Sequence, residues 1–540
     1  MNTGEPWPSF EQAWPRVRRM QTKLHRWATE DPGRVFDDLI NLVYHPDFLV
    51  VAWNRVRTNK GARTAGVDWV VPSALDDERD VAALLAGVRA QVKARTFTPL
   101  PVRERMIPKS GASGKLRRLG IPSAADRLVQ ASLVLVLEPI FEADFKPVFY
   151  GFRPRRRAQD AIAEMHFLSS DPRKYHWVFE ADIEACFDQL SHSALLRRVR
   201  QRIADKRVLA LIKAFLRAGI MSEAGQIRDS VTGTPQGGLA SPLLANVALS
   251  ALDEHFCAKW DASGDPSARY RHRKRGGATY RIVRYADDFV IMVCGLRAHA
   301  DALHDEVAGV LAPLGLRLSP SKTRVIHIDD GFDFLGFHIQ RRTKKGTARK
   351  YVYTYPSKKA LASVMGKVRA LTARERHPSL TVLLVQLNRA VRGWCNYFRY
   401  GVSKATFSYL DQYIWRRVSR WLLKRHDGIN WKTLYRRYLT GRPGHLPAEG
   451  KVVLFRASTV AVIRYRWRGH SISTPWTSES AANAAQPSET RGEPVARRRA
   501  RRVRRAGRGN GPGEIPVPRP GPTPTPNCAA RPSGPTSTCT

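Results

Sequence analysis

Arg281-Ile-Val-Arg-Tyr-Ala-Asp-Asp-Phe-Val-Ile-Met-Val293 is the stretch that decides how this chain folds. Two apolar, β-branched runs meet at an acidic pair, which predicts a β-hairpin with Asp287 and Asp288 at its tip. Adjacent carboxylates repel, so their pKa values are pushed apart unless a cation holds them. A hard divalent ion such as Mg²⁺ takes oxygen ligands and often keeps phosphate oxygens as the remainder. Two such ions can clamp the attacking and leaving oxygens of a phosphoryl transfer. An isolated Asp-Asp is more often a solvated turn, because Asp favours turns. The rest of the chain has to decide.

A third carboxylate arrives upstream. Val178-Phe-Glu-Ala-Asp182-Ile-Glu-Ala-Cys-Phe187-Asp188 begins as a short strand and passes into a helical turn. An Asp at a strand end, facing the Asp pair of a second strand, supplies the remaining ligand of a two-metal site. Phe187 lies five residues after Asp182, so a turn can bring its ring beside the same site. On its own such an aromatic is more often core.

The blocks around these residues carry a resemblance. In order they are Asn59-Lys-Gly-Ala-Arg-Thr-Ala-Gly-Val-Asp68, then Lys115-Leu-Arg-Arg-Leu-Gly-Ile-Pro122 with Asp126-Arg127 and Gln130. Tyr150-Gly-Phe-Arg-Pro154 and the Asp182 block follow, then Gly233-Thr-Pro-Gln-Gly-Gly-Leu-Ala-Ser-Pro-Leu-Leu-Ala-Asn246. The Tyr285 block, Leu318-Ser-Pro-Ser-Lys322-Thr323 and Phe334-Leu-Gly-Phe337 complete the series. Over about residues 55 to 430 the chain resembles the group II intron-encoded reverse transcriptases and maturases. Any single block is weak; the ordered set is specific.

Position by position, the resemblance implies that Asp182, Asp287 and Asp288 bind two Mg²⁺ ions, with the carbonyl of Ile183 completing one shell. Phe187 falls where these polymerases place a ring under the sugar of the incoming nucleotide, excluding a ribose 2′-hydroxyl. Arg117 sits where a fingers cation meets the triphosphate, a task that suits the guanidinium fork. Lys115 is a helper of the same kind. Gln236 lines the nucleotide pocket, and the glycines beside it let backbone approach a ligand closely. Lys322 is either a palm cation near the metal-bound phosphates or a solvated lysine.

Composition agrees with a polynucleotide partner. Ninety Lys and Arg against 47 Asp and Glu give a net charge of +43. That balance implies salt-dependent binding to a phosphate backbone. Membrane attraction is the competing use of positive charge, but no apolar run approaches the roughly 18–20 residues that span a bilayer. The start Met1-Asn-Thr-Gly-Glu-Pro-Trp-Pro has no basic-then-apolar order and predicts no secretory signal. Six cysteines without CxxC spacing argue against a disulfide scaffold or zinc ribbon. A reducing, bacterial cytoplasm fits.

The expected architecture is α+β, a right-hand polymerase with a helical thumb. Residues 1–90 form a helical, template- and RNA-binding region, 91–345 fingers and palm, and 355–440 thumb and maturase domain. Within the second, 131–141 reads as a buried helix and 341–350 as an exposed basic loop. In the third, Phe407, Leu410, Ile414, Val418 and Trp421 recur three or four apart on one helical face, with Arg416 and Arg420 between them. The Arg-Gly-Trp and Asn-Tyr-Phe signature here resembles domain X, where this family binds its intron RNA. Arg392, Trp394, Tyr397, Arg399, Arg416 and Arg420 are the candidate RNA contacts, with Trp394 and Tyr397 equally fit for core.

Residues 441–475 read as a basic extension, and 476–540, rich in Arg, Pro and Gly, as a disordered tail. No paired Cys and His cluster of a nuclease domain is present, so an endonuclease-lacking type is expected. The Pro154-Arg-Arg-Arg-Ala158 run departs from the family, which often has Gly and Ser after the Pro. Expected partners are intron RNA, an RNA template with a DNA primer, and deoxynucleotide triphosphates, with a homodimer left open. The alternatives are a stand-alone defence or diversity-generating reverse transcriptase and a splicing-only RNA-binding maturase.

Overall fold

In the computed structural model, Thr279–Tyr285 and Asp288–Cys294 are antiparallel strands with Tyr285 paired to Asp288. The turn is therefore Ala286–Asp287, and Ala286 takes φ 59°. Two-residue hairpin turns need positive φ to match strand twist. An Ala there costs about 1–2 kcal/mol, so neighbouring contacts must hold it. The structure describes residues 7–108, 116–222, 225–228, 232–233, 237–373, 377–426, 429–439, 445–470 and 472–477. Lys115, Gln236 and the tail from 478 lie outside them.

The hairpin belongs to a four-stranded antiparallel sheet, in which Trp177–Ala181 lies between Asp288–Cys294 and Arg324–His327. Alternation along the hairpin feeds two cores. Ile282, Phe289, Ile291 and Val293 join a core built largely from the N-terminal half. Val283, Val290 and Met292 point the other way, into a core shared with the C-terminal helices. Period-two side chains on a sheet covered on both faces explain the nearly continuous apolar run.

The first core centres on helix Ala124–Asp144, capped by Ser123 and buried almost all round. Helices Phe10–Glu30 and Pro46–Thr58 pack on it. A separate hairpin, Val102–Pro108 with Leu116–Ile121, projects with much of its length exposed. A three-stranded sheet, Phe332–Phe334, Phe337–Thr343 and Lys350–Pro356, links the central sheet to helices Leu380–Phe398 and Lys404–Arg425. The strands extend to Thr343 and resume at Lys350, so only 344–349 of the expected basic loop is a turn. Phe407, Leu410, Ile414, Val418 and Trp421 are all buried, as their spacing requires.

Residues 456–470 and 472–477 run back across the molecule. Tyr465 and Arg468 bond Asp160, His470 reaches Glu164, and Trp476 donates to Gln21. Packing thus continues to the last described residues, with Trp476 only 7% exposed. The departing arginines gain a reason here. Arg155 bonds Ser473 and Thr474, while Arg156 donates to the Pro147 carbonyl.

His25 sits in this seam against Trp476, and burial followed by the nearby Arg18 pushes it down to about 4. Its folded pKa lies below the unfolded value near 6.5, so acid protonates the unfolded chain first. The stability it preserves is full above about pH 6.5 and drains away between pH 6.5 and 4. Thermal melts at pH 7.5 and 5 should show this loss in the wild type and a smaller loss in His25→Gln.

Candidate active site

Register brings the carboxylates together. Ala181 pairs with Phe289, so one further step along the strands sets Asp182 opposite Asp288. Asp287 stands next to them in the turn. Beyond Asp182 the chain leaves the sheet, bridging Ile183 to Leu318. The bonds of that bridge run from Ser319 N–H to the Asp182 carbonyl and from Glu184 N–H to the Arg317 carbonyl. The Ile183 carbonyl is thereby turned to the opposite side of its strand.

Like charges act on one another here. Desolvation first, then Asp287 and Asp182, pushes Asp288 up to about 6, although its side chain keeps solvent access. Asp287 is also raised, by burial and then Asp182, while Arg117 and Lys322 pull it back. Arg117, on Leu116–Ile121, is therefore near enough for its charge to reach the hairpin turn. Lys322 forms an ion pair with Asp182. Phe187 lies half-buried on the short helix Cys186–Gln189, directly after the strand that ends at Ala181.

These oxygens are the donor set a hard divalent cation takes, and a dication would relieve the repulsion that raises Asp287 and Asp288. Yet among the described residues no three His, Cys, Asp or Glu are drawn together tightly enough to hold a metal ion. Lys322 occupies the partner position of Asp182 instead. The donors fit by chemistry, while the shell is not assembled.

Several residues that support the site escaped the sequence reading. Arg284 is fully buried, with Asp253 as its carboxylate partner and Phe149 against its face at 3.8 Å. Its Nη1 donates to the Ala286 carbonyl at 2.8 Å, fixing the left-handed turn. Behind the turn passes Gly151, where a Cβ would stand 2.2 Å from the Ala286 nitrogen. Only glycine permits that approach. The signal available was Arg284 directly before the Tyr-Ala-Asp-Asp turn, in a strand with Ile282 and Val283.

The candidate RNA contacts are more dispersed. Arg392, Arg416 and Arg420 are exposed on the C-terminal helices. Trp394 packs against Phe398 and Phe407. Tyr397 packs on Phe337 and donates its hydroxyl to the Leu335 carbonyl. Both rings are committed to internal contacts. Arg399 is half-buried, its carbonyl accepting from Ile463 N–H.

Comparison with known proteins now adds to the geometry. Residues 107–339 match the reverse transcriptase (RNA-dependent DNA polymerase) family, and 361–439 match the group II intron, maturase-specific domain. The enzyme class is that of an RNA-directed DNA polymerase. Protein YkfC of Escherichia coli K12 is 35% identical over 376 residues, covering 65% of this chain and 97% of that protein. The group II intron-encoded protein LtrA of Lactococcus lactis is 30% identical over 375 residues, 61% of this chain. The chain spans 60% of the length of LtrA. The chain belongs to the group II intron-encoded reverse transcriptase and maturase family. Reverse transcriptases use divalent metal ions, and the maturase domain ties this chain to group II intron RNA. No described helix is long and apolar enough to cross a membrane.

Proposed function

We propose that the chain copies RNA into DNA at the Asp182, Asp287 and Asp288 site and separately assists splicing of its intron RNA, in a bacterial cytoplasm. The observation that carries the first half is the register that sets Asp182 opposite Asp288 beside a turn within reach of Arg117. In this reading the central sheet is the palm, the Val102–Ile121 hairpin belongs to the fingers, and the C-terminal helices are the thumb.

The three aspartates, with the Ile183 carbonyl, would hold two Mg²⁺ ions that favour the 3′-hydroxyl as nucleophile and neutralise charge on the departing pyrophosphate. The chain supplies the rest. Arg117, helped by Lys115, binds triphosphate oxygens through its guanidinium fork. Lys322 is placed to exchange the Asp182 carboxylate for a phosphate oxygen. Phe187 closes the space beneath the sugar, and the resemblance assigns a nucleotide-binding role to Gln236. Removing the ring in Phe187→Ala should raise ribonucleotide incorporation relative to deoxynucleotide by about tenfold or more, a loss of discrimination of about 1–3 kcal/mol. Single-nucleotide insertion with each triphosphate measures it. Unchanged discrimination would remove Phe187 from the sugar site.

For splicing, Arg392, Arg416 and Arg420 offer exposed charge to the RNA backbone, while Trp394 and Tyr397 hold the helices that carry them. The RNA performs the splicing chemistry, and the protein adds charge and shape recognition. The Lys322–Asp182 pair favours one second reading, a splicing protein whose polymerase site is silent. Primer extension on an RNA template with deoxynucleotides and Mg²⁺ decides. Extension supports the polymerase; its absence in a folded, RNA-binding preparation leaves the splicing protein.

A further inference from the structure

A cavity of about 1340 Å³ opens beside the helix Ala158–Ser169. Helix Ala158–Ser169, strand Lys350–Pro356, the turn after Phe398 and residues 462–467 wall it. Ser169, Ser170, Asp171 and Arg173 line it and lead into the start of strand Trp177–Ala181, whereas Asp182 follows the end of that strand. The five strand residues set the two places roughly 16 Å or more apart.

The lining is basic and aromatic. Its seven Lys and Arg face a single carboxylate, Asp171. Asp329 answers Arg341 and Lys350, and Arg173 lies over the Phe167 ring. Lys344, Arg464 and Arg466 are exposed and form no ion pair among the described residues. Tyr351 is 44% exposed, Tyr353 half-buried, and Tyr400 meets Tyr465 edge-on. Unneutralised cations interleaved with accessible rings suit phosphates and unstacked bases.

The backbone argues against a peptide. Lys350–Pro356 is an outer strand and would be the place for an added strand. Two carbonyls along it are already taken: Val352 accepts from His166, and Thr354 from Val402 N–H.

We propose that this groove binds a single-stranded polynucleotide, with phosphates on Lys344, Arg464 and Arg466 and bases against Tyr351 and Tyr353. The site is separate from the triad and does not depend on the polymerase reading. It lets the chain hold a strand behind the sheet while the triad is engaged elsewhere.

The test uses the full chain with fluorescein-labelled 12-nucleotide oligomers of uridine and of thymidine, and a duplex of equal length. Photo-crosslinking of a 4-thiouridine oligomer should mark 351–353 or 464–467. Arg464→Glu combined with Arg466→Glu should weaken single-strand binding by about tenfold and lower the salt slope by about 1.4. Lys344→Glu, in a turn outside the packed segment, serves as the independent variant. Primer extension on an annealed template should remain in both. A preference for uridine assigns the groove to RNA and one for thymidine to DNA, either upholding it. Crosslinks confined to other segments, unchanged affinity in folded variants, or tighter duplex binding would overturn it. Failure of wild-type primer extension would strike the polymerase reading alone.

Discussion

Asp287→Ala should abolish DNA synthesis, with primer extension falling at least about a hundredfold, while affinity for intron RNA stays within about twofold. The carboxylate stands in the turn beside Asp182 and Asp288, where burial and Asp182 already raise its pKa. Alanine removes one of the three carboxylates proposed to hold the ions. Charge developing in phosphoryl transfer then lacks its stabilising cation, a loss worth several kcal/mol. The fold should tolerate the change, because the turn is held through the Ala286 backbone rather than through the Asp287 side chain. Single-turnover extension on an RNA template, alongside filter binding of intron RNA, measures both. Vigorous extension by the variant would end the assignment of the triad.

Asp253→Ala should cost about 3–5 kcal/mol of stability, the largest such effect anticipated here, because it leaves the buried Arg284 guanidinium unpaired. Urea unfolding reads the loss directly. Replacing both partners by apolar residues, Asp253→Leu with Arg284→Met, should recover most of it, since a buried ion pair contributes less than its breakage costs. Activity should not recover. The double variant still lacks the Arg284 donor to the Ala286 carbonyl, so the turn that carries Asp287 loses its anchor. Recovered stability together with full primer extension would show that the anchor is dispensable.

Local pattern made part of this legible. The β-branched runs flanking Asp287 and Asp288 became a hairpin, and the buried helix at 131–141 lies within Ala124–Asp144. Long-range pairing was harder to read. Nothing near Asp182 in the chain says that Trp177–Ala181 will lie beside Asp288–Cys294, because strand order depends on contacts more than 100 residues apart. Arg284 meets Asp253 from 31 residues away, and no local periodicity signals it.

The C-terminal segment misleads for another reason. It reads as a basic extension to residue 475 and a disordered tail from 476, yet Tyr465, Trp467 and Trp476 pack, and Arg468 meets the buried Asp160. Arg468 is answered by a partner 308 residues earlier, which composition cannot reveal. For Lys322 the structure supplies a partner, Asp182, where the sequence left two options.

The most direct test of the central claim, one chain with two separable activities, is splicing of the RNA flanking its gene at low Mg²⁺, with wild-type and Asp287→Ala protein. Both proteins should accelerate splicing, while only the wild type extends a primer on RNA. If neither protein aids splicing while the wild type still extends a primer, the maturase half is contradicted and a stand-alone reverse transcriptase takes its place.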